Sequence, residues 1–240
     1  MQYSRRLFIS AFGAASLAPM ASFGQPASCT SPSLGALSQR MGKAWLCLAD
    51  PELTTPARGV LAASQAAFEQ QLVQMNRNPS GPEQAGSLRA LARRYEDYQS
   101  VLASTPGANA ARALMSTANE MMTLAQLSNG SRAALPWQAR LASRQRLLSQ
   151  RVALLGLASP GLEAARRERQ AAIYEFEAGL QTLRTAGDPA LRDGLAQAEA
   201  AWTPLRDGAS TGRAVPMFIA SERLLAVMDA VTEHCTRMTT

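Results

Sequence analysis

The chain has 240 residues, with 24 Lys/Arg against 18 Asp/Glu (formal net charge +6), 47% hydrophobic and only 5% aromatic residues. That length suits one or two compact domains with a sizeable core, and the dominance of Ala, Leu, Gln, Arg and Glu over Val and Ile favours helices over sheets. The basic residues form no dense run and no aromatics interleave with them, which argues against a nucleic-acid surface.

Residues 1–27 read as an export signal rather than as fold. Ser4-Arg5-Arg6-Leu7-Phe8-Ile9 has the form of a twin-arginine signal, a mildly apolar stretch runs to Met20, and small residues between Ala21 and Ala27 offer cleavage points. Loss of Arg5 and Arg6 would leave a mature net charge of about +4. Pro26-Ala27-Ser28 before Cys29 is a poor lipoprotein box. No later stretch approaches the ~18 apolar residues that span a bilayer, so a periplasmic location is expected. In that oxidising compartment three cysteines invite one disulfide. Cys29 and Cys235, at opposite ends of the mature chain, could meet in an up-down bundle with an even number of helices. Cys47 is expected to be a buried free thiol.

Breakers divide the rest of the chain: Asp50-Pro51, Thr55-Pro56, Asn78-Pro79-Ser80-Gly81-Pro82, Thr105-Pro106-Gly107, Ser128-Asn129-Gly130-Ser131, Ser159-Pro160-Gly161, Gly187-Asp188-Pro189 and the run Gly208 to Gly212. The intervening patterns predict helices over 33–49, 57–76, 83–104, 108–128, 134–158, 161–186, 189–206 and 213–237. The two halves share an order of features. Leu37-Ser38-Gln39-Arg40 recurs as Leu148-Ser149-Gln150-Arg151, Phe68 answers Phe176, Tyr98 answers Trp202, and Glu120-Met121-Met122 answers Glu222-Arg223-Leu224-Leu225. The expectation is an all-α chain of two tandem four-helix up-down bundles, residues 28–132 and 133–240, related by duplication.

The motif helix of the second half is the most informative segment. At about 100° per residue, Arg144 and Arg151 fall about 20° apart and among Leu141, Leu148 and Leu155. A guanidinium in that stripe needs a carboxylate, carbonyl oxygens or an anionic ligand, because an unpaired buried charge is costly. Arg146 falls about 160° from Arg144, on a face left for another bundle or for solvent.

Arg144-Gln145-Arg146-Leu147-Leu148-Ser149-Gln150-Arg151 resembles the signature helix of the PilJ/NarX-type sensor domains. These are the periplasmic input domains of type IV pilus chemotaxis transducers and of nitrate/nitrite sensor kinases. The first copy keeps Leu37-Ser38-Gln39-Arg40-Met41 but has Ser33, Leu34 and Gly35 in place of Arg-Gln-Arg. The resemblance implies a four-helix bundle for each half and an anion held between two equivalent helices by the arginine matching Arg146. The first-half counterpart of Arg146 is Gly35, so a site within one chain would be one-armed, unless two second halves pair in a homodimer. Arg146, Arg144, Arg151, Arg40, Gln150 and Gln39 are the candidate ligand-binding residues. A membrane sensor kinase or chemotaxis transducer is the expected partner.

Catalytic and cofactor chemistry finds little support. His234 is the only histidine, no Cys pair has zinc or haem spacing, and no Gly-rich phosphate loop occurs. Met115, Met121 and Met122 read as core filler rather than copper ligands. The expected function is a soluble, non-enzymatic sensor-type binding protein for a small oxyanion such as nitrate or nitrite. A periplasmic helical interaction or adaptor protein without a small ligand is the alternative.

Overall fold

The computed structural model describes residues 32–128, 135–158 and 163–237. The expected export signal at 1–27, Cys29 with its expected pairing to Cys235, and the 132/133 boundary lie outside the described residues. Those residues form eight α-helices and no strand: α1 (Leu34–Cys47), α2 (Thr54–Arg77), α3 (Pro82–Leu102), α4 (Ala108–Leu127), α5 (Trp137–Ala158), α6 (Glu163–Thr185), α7 (Arg192–Thr211) and α8 (Ala214–Arg237). The all-α class and the helix number are as the composition and breakers predict.

Local chemistry sets the helix ends. The Ser33 hydroxyl accepts from the Ala36 amide and caps α1, and Pro82 opens α3, where its missing N–H costs nothing. Two breakers act differently from the expectation. Pro56 lies in the first turn of α2, where no N–H partner is needed, so the helix starts at Thr54. Gly208 lies inside α7, because a Cβ there would come within 2.8 Å of Met217 Cγ. The helix instead ends at Gly212, whose φ of 73° is left-handed.

The two motif helices form the centre. α1 packs on α2, α4 and α5; α5 packs on α1, α6, α7 and α8; α3 closes on α4, and α7 on α8. Only Arg40 and Leu46 of α1 escape burial, and between Gln145 and Gly156 of α5 only Arg151 does. A helix enclosed on nearly every side has no solvent face to reserve for charge. A Cβ on Gly35 would meet Leu147 at 3.1 Å, and one on Gly42 would meet Leu154 at 3.2 Å. Both contacts advance by seven residues on each helix, so α1 and α5 run parallel and in register. One buried apolar cluster includes residues from all eight helices.

Matched contacts recur in the two halves. Phe68 stacks on Tyr95 with ring centroids 4.5 Å apart, and Phe176 on Trp202 at 4.1 Å. The Tyr95 hydroxyl donates to Glu69, and the Trp202 indole to Glu177, the residue after Phe in each case. The counterpart of Trp202 is therefore Tyr95, one turn before the Tyr98 that spacing suggested. Tyr98 is buried under α1 and donates to the Ser38 carbonyl at 2.9 Å. No described helix is long and apolar enough to cross a membrane.

Close approach at the centre gives an expected contrast between two glycines. A Cβ at Gly42 would lie 2.7 Å from the Tyr98 hydroxyl, whereas one at Gly86 of α3 meets nothing within 4 Å. Urea denaturation should show Gly42→Ala destabilised by ~1–3 kcal/mol and Gly86→Ala stabilised by ~0.5–1 kcal/mol. Equal effects at both sites would refute the tight packing of Tyr98, Leu114 and Leu154 against Gly42 of α1.

Candidate functional site

The Leu-Ser-Gln-Arg segments of α1 and α5 lie side by side. In each, the serine hydroxyl donates to the carbonyl three residues back, Gly35 or Arg146, at 2.8 Å. Each glutamine ties its helix to the last helix of its own half: Gln39 Nε2 donates to Ala118 O at 3.0 Å, and Gln150 Nε2 to Ser221 O at 2.9 Å. Each arginine then crosses to the other half. Arg40 grips both oxygens of Glu222 on α8. Arg151 donates to Asn119 Oδ1 at 2.8 Å and Glu168 Oε2 at 2.6 Å, and reaches Gln39 Oε1 at 3.4 Å. Asn119, rather than Glu120, is thus the positional counterpart of Glu222.

Arg146 and Arg144 exchange the environments that the helical wheel assigned them. Arg146 is only 1% exposed: α8 covers the face that the wheel left open. Its Nη1 donates to Asp229 Oδ1 at 2.7 Å and its Nη2 to the Ser143 hydroxyl at 3.2 Å. Arg144 reaches the rim and pairs with both oxygens of Glu175 on α6 at 2.6 and 2.9 Å. The wheel presumes one buried face, and α5 is buried on almost all of them.

Lys43, the only lysine of the chain, sits fully buried at this centre. Its three donors are filled by Gln150 Oε1 at 2.7 Å, Ser221 Oγ at 2.9 Å and Glu222 Oε1. The ring of Phe218 lies 5.1 Å from the ammonium. A compact ammonium with three rotatable donors fits this three-acceptor pocket, whereas a planar guanidinium would not. Lys43, Ser221, Glu222 and Asp229 were not named as site residues from sequence. A lone lysine three residues after the motif arginine was the available signal, together with two acids seven residues apart on one face of α8.

The electrostatics of this seam are uneven. Burial lowers the Lys43 pKa, opposed by Glu222. Burial alone would raise the Glu222 carboxyl, but Lys43 and Arg40 outweigh it and hold it at about 2. Burial raises the Asp229 carboxyl, and the neighbouring Arg146 and Arg40 do not overcome it. The α1/α5/α8 seam thus sets Arg40, Lys43 and Arg146 against Glu222 and Asp229. On the α6 side, Arg144 and Arg151 face Glu175 and Glu168, charge for charge. Every acidic side chain of the chain lies in the described segments.

Two other features border the site. Asn119 also lines an open groove of about 630 Å³ between α3 and α4, with Arg93, Arg94, Asp97 and Glu120. Cys47 is buried near Lys43, and burial pushes its thiol up to about 12, so it stays protonated. Among the described residues, no group of three or more His, Cys, Asp or Glu side chains could hold a metal ion.

No family model matches this chain, and neither a curated protein nor a solved structure matches it.

The Glu222 pairings predict an uneven cost of removing carboxylates. Glu222→Ala strands buried Lys43 and should cost ~3–5 kcal/mol in urea denaturation. Glu175→Ala, at an exposed pair, should cost under ~1 kcal/mol. A carboxyl held at about 2 in the folded state contributes stability above its unfolded value, and loses it as pH falls through the folded one. Wild-type stability should therefore decline from about pH 4 towards pH 2, and less steeply in Glu222→Gln. Identical acid profiles in the two proteins would contradict the assignment.

Proposed function

We propose that this protein is an exported sensor-type binding protein for a small oxyanion such as nitrate or nitrite, passing its ligand state to a membrane sensor kinase or chemotaxis transducer. The observation that carries this reading is the seam in which, among the described residues, Arg40, Lys43 and Arg146 meet two carboxylates, Glu222 and Asp229, beside the line where the two motif helices meet. A single monovalent anion would balance it. Arginine suits a planar oxyanion because its fork of donors binds two oxygens at once. The resemblance to PilJ/NarX-type domains favours the same place, since it assigns anion contact to the position of Arg146. The parallel packing of α1 on α5 supports two tandem four-helix units paired within one chain, with Gly35 leaving the second arm absent.

A thermal-shift series tests this. Nitrate or nitrite at about a hundred times its dissociation constant should stabilise the protein by ~2.7 kcal/mol and raise Tm by several degrees, with chloride as the ionic-strength control. Arg146→Gln, checked for fold by circular dichroism, should abolish the shift. A nitrate shift that survives in that variant would sink the site assignment.

A second reading, a helical interaction protein with no small ligand, is favoured by the in-chain carboxylate partners of Arg40, Arg144 and Arg151 and by the open α3–α4 groove. It is supported if no small anion moves Tm.

A further inference from the structure

Asp229 stands between Arg146 and solvent. The arginine side chain is 1% exposed and the aspartate side chain 37% exposed, so the pair is open to solution from the carboxylate side. Among the described residues Asp229 accepts one hydrogen bond, through Oδ1. The comparable carboxylates are held harder: Glu222 and Glu175 each engage an arginine through both oxygens. Burial also disfavours the Asp229 charge where it sits. On the same helix, Ser221 and Glu222 are fastened to α1 and α5 by Lys43, Arg40 and Gln150. The Asp229 side chain can thus turn outward while the helix that carries it stays in place.

We propose that Asp229 is an internal occupant of the anion seat, which an incoming oxyanion displaces from Arg146. This rests on the anion-binding reading above and adds its regulation. The carboxylate keeps the buried guanidinium paired in the empty protein, so emptiness does not unfold the seam. A planar oxyanion can engage the guanidinium through two oxygens, whereas among the described contacts Asp229 engages it through Oδ1 alone. Its arrival turns a negative side chain out onto the surface of α8. The liganded and empty proteins then differ in charge on one exposed helix edge, a difference that a partner can read.

Titration calorimetry with sodium nitrate tests the displacement, using wild type, Asp229→Asn, Asp229→Ala and Asp229→Asn/Arg146→Gln, with sodium chloride as control. Asp229→Asn removes the charge but keeps an acceptor for Arg146 Nη1, which guards the fold where alanine removes that acceptor. Removing a competing internal occupant should tighten nitrate binding by about tenfold or more in both single variants, and the double variant should not bind. Binding in wild type that is equal or weaker in both single variants overturns the displacement while leaving the anion reading intact. Binding by no protein in the set overturns both. Binding by the single variants and not by wild type supports the displacement, with Asp229 as a firm occupant.

Discussion

The Lys43 ammonium is cut off from water, and the centre of the molecule is arranged around that constraint. An isolated buried cation would be intolerable, so acceptors must come from outside α1. Gln150 arrives from α5, and Ser221 and Glu222 from α8. Three helices are thereby fixed to one another at hydrogen-bond length. Apolar packing alone specifies register weakly when most contacts are Leu and Ala, since a slip of one turn replaces one such contact with another. A polar cluster with a single satisfied arrangement penalises every slip, a role well attested for buried polar groups between helices. Gly35 and Gly42 complete the arrangement by letting Leu147 and Leu154 of α5 approach the α1 backbone.

Around this centre the two halves keep one geometry and diverge in chemistry. Both motif glutamines bind a carbonyl of the last helix in their own half, and both arginines cross over. The matched positions then part company: Lys43 corresponds to Leu154, Arg146 to Gly35, Glu222 to Asn119 and Asp229 to Gln126. In each of these four pairs one member is charged and the other neutral, and all four charged members fall in the α1/α5/α8 seam. The opposite seam retains Arg151, satisfied by Asn119 and Glu168.

The helices were legible in the sequence because their signals are local: periodicity, caps, and Pro or Gly at the joints. Even the two displaced ends follow from rules of position, since Pro56 is harmless in a first turn and Gly208 serves a contact with Met217 rather than a bend. The motif was legible because it occurs twice. What spacing could not supply was register between helices. Tyr95 and Tyr98, like Asn119 and Glu120, lie on the same helix within a turn, and only a neighbour's hydrogen bond selects between them. A helical wheel misplaces the exposure of Arg144 and Arg146 for a related reason: it ranks faces of a helix with one buried side, and α5 is covered by α1, α6, α7 and α8. Lys43 was visible as the sole lysine, but its burial depends on Glu222, 179 residues further along the chain.

A binding protein that reports occupancy needs two states close in energy, and the two seams differ in how well they meet that demand. In the α6-side seam each arginine faces a carboxylate on a neighbouring helix, and an arriving anion would have to break a balanced pair and leave an excess of negative charge. In the α1/α5/α8 seam three cations face two carboxylates, so an anion that took the place of Asp229 on Arg146 would leave no excess of negative charge. The firm part of that seam, Lys43 with Glu222 and Gln150, carries the fold. The lighter part, Asp229 on Arg146, lies two turns further along α8 and can change without disturbing it. Stability and responsiveness are thus assigned to different carboxylates of one helix, and the proposed function depends on that separation.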